Sequence, residues 1–162
     1  MVHNRIVLLA LCAGISQPAL ADLSGRVVGV PDGDTLTIRV EGKNVRVRLD
    51  AVDAPELGQP YGKSARSSLA QLCRGKDAKV VERGKDDAGR ILASVRCGDV
   101  DANVEQVRRG MAWVSLRYVP LGSPLYEAEA SARLQKIGLW RGKEPVPPWE
   151  WRARSAKSAG KS

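Results

Sequence analysis

Thr35-Leu36-Thr37-Ile38-Arg39-Val40, Glu41-Gly42-Lys43-Asn44, Val45-Arg46-Val47-Arg48-Leu49: apolar side chains stand at every second position on both sides of a turn-forming cluster. Such alternation puts Leu36, Ile38, Val47 and Leu49 on the inner face of a hairpin. Upstream, the β-branched run Gly25-Arg26-Val27-Val28-Gly29-Val30 is parted from the hairpin by Asp32-Gly33-Asp34, so the three segments read as a meander. Downstream, Ala78 to Glu82 and Ile91 to Arg96 repeat the pattern around the turn-rich Gly84-Lys85-Asp86-Asp87-Ala88-Gly89. Five short strands of this kind suit a small closed barrel.

Three helices are expected beside the strands. The first runs from about Lys63 to Arg74, with Ala65, Leu69, Leu72 and Cys73 on helical spacing and Gly75 as its stop. The second takes Asn103 as N-cap and Gly110 as C-cap. In the third, Ser123 caps, Pro124 holds the first helical position, Glu127 and Glu129 come early, Arg133 and Lys136 late, and Gly138 ends the run. The proline-rich stretch Pro145 to Trp151 is expected to pack irregularly on the surface.

A chain of 162 residues holds one domain with a substantial core. Residues 1–21 read as an export signal: a positive start at Arg5, a mostly apolar run from Ile6 to Ile15, and Ala19-Leu20-Ala21 as a cleavage site. Cys12 is poorly placed for a lipid anchor, because Leu11 stands where a small residue is needed. No later segment approaches the roughly 20 apolar residues of a membrane helix, so an exported protein, periplasmic or secreted and free of the membrane, is expected. The domain then spans 22–150, and the basic stretch 151–162, with Arg152, Arg154, Lys157 and Lys161 among Ser, Ala and Gly, is expected to be a disordered tail. After export Cys73 and Cys97 remain; one disulfide is expected, two buried thiols that never meet being the alternative. The formal charge of +8 points to a polyanionic partner.

The chemistry-bearing residues fall in a fixed order: Asp32-Gly33-Asp34-Thr35, Arg48, Asp53-Ala54-Pro55-Glu56, Gly89-Arg90. A phosphodiester repels an attacking hydroxide, and guanidinium groups and a divalent cation neutralise that charge. Carboxylate oxygens select calcium or magnesium over softer metals. The Pro55 ring stiffens the second acidic segment, suited to turning the Ala54 carbonyl toward a metal while Glu56 stays apart from it. Arginine forks fit phosphate oxygens in pairs. The one histidine, His3, lies in the expected signal, and two cysteines cannot close a zinc site. Carboxylate and metal chemistry is what remains. A barrel of this kind that only binds single strands, without turnover, is the alternative.

The segment from Gly25 to about Trp140 resembles the staphylococcal nuclease family. The resemblance rests on Asp32-Gly33-Asp34-Thr35, Arg48-Leu49-Asp50-Ala51-Val52-Asp53-Ala54-Pro55-Glu56, Gly89-Arg90-Ile91-Leu92-Ala93 and Val107-Arg108-Arg109-Gly110-Met111-Ala112. It implies an α+β fold, a five-stranded OB-fold barrel with three helices. It also implies a monomeric, calcium-dependent nuclease acting on DNA and RNA, single-stranded or locally opened, and leaving 3′-phosphate ends. Asp34, Asp53 and the Ala54 carbonyl would hold Ca2+, with Asp32 behind them. Arg48 and Arg90 would grip the phosphate, and Glu56 would be the general base. Ala88 stands where such proteins usually carry an aromatic residue, so base contacts fall to Tyr118 and Trp113; for Trp113 a buried anchor is the competing reading.

Overall fold

The computed structural model describes residues 22–115 and 119–160. Residues 1–21, read as the export signal, and Tyr118 lie outside the described residues. Five long strands form the barrel: β1 (Asp22–Gly29), β2 (Thr35–Val40), β3 (Lys43–Leu49), β5 (Asp77–Lys85) and β6 (Ile91–Cys97). β1 pairs antiparallel with β2 and β5, β2 with β3, and β5 with β6. Closure comes from a parallel pairing of β3 with β6, Val47 opposite Ile91 and Leu49 opposite Ala93. The alternation sets the inside: Leu36, Ile38, Val47 and Leu49 are all at most 1% exposed, as the hairpin pattern demands. β5 runs on through Gly84 and Lys85, the first two residues of the expected turn, by shifting register between Glu82 and Gly84. Short strands β4 (Val52–Asp53) and β8 (Trp113–Val114) pair outside the barrel, and β7 (Val100–Asp101) folds back antiparallel on the end of β6.

α1 (Gly62–Cys73) buries Ala65, Leu69, Leu72 and Cys73 on the barrel, one apolar stripe of a helix. Its last residue forms the expected disulfide with Cys97 at the end of β6. α2 (Ala102–Arg108) is capped by Asp101, whose carboxylate accepts from Val104 N at 3.0 Å. Asn103, expected as that cap, is instead buried, and it knits the closure: its amide donates to Asp50 O (2.9 Å) and Ala93 O (3.1 Å), and its oxygen accepts from Val95 N (3.0 Å). α3 (Pro124–Leu134) starts at Ser123 as read, but it ends four residues before Gly138, because Lys136 turns left-handed (φ 51°) and Gly138 opens a single 3-10 turn, Gly138–Arg141.

A fourth helix corrects the sequence reading. α4 (Pro148–Ala159) occupies most of the stretch expected to be a disordered tail, and it begins inside the expected domain boundary. Proline at its first turn, Glu150 early and Lys157 late are ordinary helix signals, hidden by a composition that resembles a solvated tail. Trp113 and Trp140 meet edge to face at 5.4 Å, with the Arg133 guanidinium over the Trp140 ring at 3.8 Å. Trp113 is 3% exposed in this satellite cluster, so it is a buried anchor and not a surface for base stacking. None of the described helices is long and apolar enough to cross a membrane.

Candidate active site

The β1–β2 turn and the β3–β4 segment meet at one barrel rim. Asp34 opens β2 as it leaves its turn, and the Asp34 backbone N–H donates to the Asp32 carboxylate (3.1 Å), which fixes that turn. Gly33 is dictated by space: a Cβ there would stand 2.7 Å from the methyl groups of both Ala54 and Ala65, so only glycine lets α1 and the second acidic segment close on the turn. From below, the buried Gln106 of α2 donates to Gly33 O at 2.8 Å. Ala51, in the left-handed region (φ 61°), reverses the chain after β3 and delivers Asp53 to the same rim.

Arg48 points out of the barrel between these two segments. Its Nη1 donates to Asp34 Oδ1 (3.0 Å) and its Nη2 to Asp53 Oδ1 (2.9 Å), both carboxylates being nearly buried. Asp34 also accepts from Thr35 Oγ1 (3.1 Å) and from Ala54 N (3.0 Å). Burial pushes the Asp34 carboxyl up to about 7, against the pull of Arg48 and the Ala54 N–H and with the push of Asp32 and Asp53. Burial thus favours the neutral form of the Asp34 carboxyl, and a cation beside it is what favours the ionised one.

Arg90 reaches the rim from the start of β6. Its Nε donates to Asp86 Oδ2 (2.6 Å) and its backbone N–H to Asp86 Oδ1 (2.9 Å). Burial raises the Asp86 carboxyl, but the hydrogen bonds and charge of Arg90, with a bond from Ala88 N, outweigh it and hold that carboxyl below its usual range. Glu56 sits in a tight loop: its backbone N–H donates to Gln59 Oε1 (3.1 Å), and its carbonyl accepts from Gln59 N (2.8 Å). Gly62 lies so close to the Glu56 carbonyl that no side chain fits there. A cavity of about 750 Å³ is lined by Asp32, Asp34, Arg48, Asp53, Ala54, Glu56 and Arg90 among others. All of the expected catalytic and metal-site residues therefore border one space, although Arg90 is bonded to Asp86 and not to the Asp34–Arg48–Asp53 cluster.

Sequence reasoning missed Arg152. From α4 it donates through Nη2 to Asp53 Oδ2 (2.8 Å) and through Nη1 to Asp53 Oδ1 (3.2 Å) and Glu56 Oε1 (2.7 Å). Those hydrogen bonds, Asp53's first, hold its guanidinium above the ordinary arginine range despite partial burial. The helix signals at Pro148 and Glu150 are what could have drawn it out of the presumed tail.

Asp34 and Asp53 offer carboxylate oxygens of the kind hard cations such as calcium and magnesium take, and Asp34 Oδ2, which accepts only from Ala54 N, has a lone pair to spare for such an ion. Among the described residues no group of three or more histidine, cysteine or acidic side chains is arranged to hold a metal, so waters or phosphate oxygens would have to complete its shell.

A family model described as "Staphylococcal nuclease homologue" matches residues 46–142. This chain belongs to the staphylococcal nuclease family. A protein named micrococcal nuclease from Shigella flexneri is 38% identical over 165 residues, covering 96% of this chain and 94% of the relative. Proteins named as uncharacterized endonucleases come from Escherichia coli (43% identical; 86% of this chain, 92% of the relative) and Haemophilus influenzae (39% identical; 94% and 87%). The chain is accordingly a nuclease, a hydrolase of nucleic-acid phosphodiesters, and the barrel rim is where its arginines and acids gather.

Proposed function

We propose that this nuclease is an exported, calcium-dependent, monomeric enzyme that cuts DNA and RNA with little sequence preference and leaves 3′-phosphate ends. One observation carries the reading: Arg48 is held between two nearly buried carboxylates on the wall of the cavity that Glu56 and Arg90 also line. The basic charge, +8 for the whole chain and one unit less once Arg5 leaves with the signal, draws a polyanion toward the protein.

Glu56 accepts a proton from water as the water oxygen bonds to phosphorus, and the phosphorus–O5′ bond breaks in line with the attack, O5′ keeping the bonding pair and taking a proton from solvent. Arg48 and Arg90 offer forked donors to the oxygens on which negative charge grows. Asp34 and Asp53 would hold the calcium, beside the Ala54 backbone. Bound there, the ion supplies Lewis-acid polarisation of a phosphate oxygen.

The test is digestion of plasmid and of RNA, with calcium and with chelator, followed by end-group analysis. Arg48→Ala and Glu56→Gln each lower kcat by about 100- to 1000-fold, and chelation stops the reaction. Full hydrolysis in chelator without magnesium, or 5′-phosphate ends, would overturn the proposal.

A further inference from the structure

The segment 146–152 grips the Glu56 loop at two separate points. Val146 O accepts from the amide of Gln59 (2.6 Å), and Gln59, 6% exposed, is the residue whose side-chain oxygen takes the Glu56 N–H. One turn into α4, Arg152 takes the Glu56 carboxylate itself. The same guanidinium forks onto both oxygens of Asp53, which Arg48 fixes to the barrel. A rigid path thus runs from β3 through Arg48, Asp53 and Arg152 to Glu56.

Glu56 needs such a path. Its side chain is 44% exposed, and an unheld glutamate divides its time among many rotamers. Arg152 takes Oε1 and leaves Oε2 outside the pair. The Gln59–Val146 bond shows that the segment is built into the loop at backbone level and not merely inserted into the cavity by one side chain.

We propose that Arg152 is a positioning residue of this nuclease, holding the Glu56 carboxylate in register with Asp53, so that α4 is part of the active site. The proposal rests on the reading of Glu56 as general base. The Arg152–Glu56 pair is half-exposed on both sides and contributes little to folding, and the nearly buried Asp53 keeps Arg48 when Arg152 is removed, so a positioning role and a structural one separate.

The experiment measures kcat, KM and urea midpoint for Arg152→Ala, Arg152→Lys, Glu56→Gln and the Arg152→Ala/Glu56→Gln double variant on a single-stranded oligonucleotide. Losing the register lowers kcat about 10- to 100-fold in Arg152→Ala, the scale of a misplacement near 1 Å, with KM and midpoint nearly unchanged. Lysine restores part of the rate, since one ammonium cannot fork across two carboxylates. The double variant is no slower than Glu56→Gln alone, because the two act as one unit. Four results would overturn the proposal: wild-type kcat in Arg152→Ala, a higher kcat that marks an inhibitory plug, a loss in KM alone that marks a phosphate contact, or additive losses in the double variant. Full activity of Glu56→Gln would remove the general-base reading and this proposal with it, whereas a crippled Glu56→Gln beside a fully active Arg152→Ala removes this proposal alone.

Discussion

Replacing Asn103 by alanine unfastens the barrel where β3 and β6 meet. Three hydrogen bonds are lost, but not three partners: Ala93 O keeps the Asp50 N–H at 2.8 Å, so Val95 N–H and Asp50 O are the groups left unpaired. The orphaned, buried Val95 N–H costs about 1–3 kcal/mol and the half-buried Asp50 O less, about 3 kcal/mol together. For a domain of this size that lowers the melting temperature by roughly 10 °C. Asn103→Asp separates hydrogen bonding from packing. It fills the same space and still accepts from Val95, but it turns an oxygen toward the two carbonyls that the amide served, and at neutral pH it is at least as destabilised as the alanine variant. Equilibrium urea unfolding with the disulfide intact measures both, a fall in midpoint at constant slope being the expected signature. An aspartate variant as stable as wild type would refute the reasoning, since the two donated bonds would then contribute nothing.

Gly33→Ala forces a methyl group against Ala54 and Ala65; overpacking of this kind costs about 1–3 kcal/mol. Because the same shift moves Asp34, kcat falls along with the urea midpoint, and an unchanged kcat would disprove the close-approach argument. Cys73→Ser combined with Cys97→Ser, which opens a loop of sequence separation 24, lowers stability by about 3.5 kcal/mol on the chain-entropy account. Wild type under full reduction should match that variant, and a loss below about 1 kcal/mol would remove loop closure as the explanation.

The barrel was legible because alternation is a local signal: Leu36, Ile38, Val47 and Leu49 carry it without knowledge of partners, and all four are inside. The site residues were legible through family resemblance more than through periodicity, since an acidic turn or a strand-end arginine says little alone. Asn103 misled because asparagine suits a helix N-cap as well as a buried bridge, and the choice depends on Asp50, distant in sequence, and on Ala93 and Val95. Gln106 was invisible for the same reason; its partners Gly33 and Ala65 lie 73 and 41 residues away. Arg152 was hidden by composition. A stretch of Ser, Ala, Gly and cations cannot build a core of its own, yet it can dock on one already built, and here Gln59 and Asp53 provide the docking points.

Arg152 follows Glu56 by 96 residues. A ribosome makes the chain in that order, so the arginines and acids of the rim emerge long before their last companion. Barrel closure through β3 and β6 precedes it too in the order of synthesis. The rim described here is therefore complete only once α4 has left the ribosome and docked against the Glu56 loop.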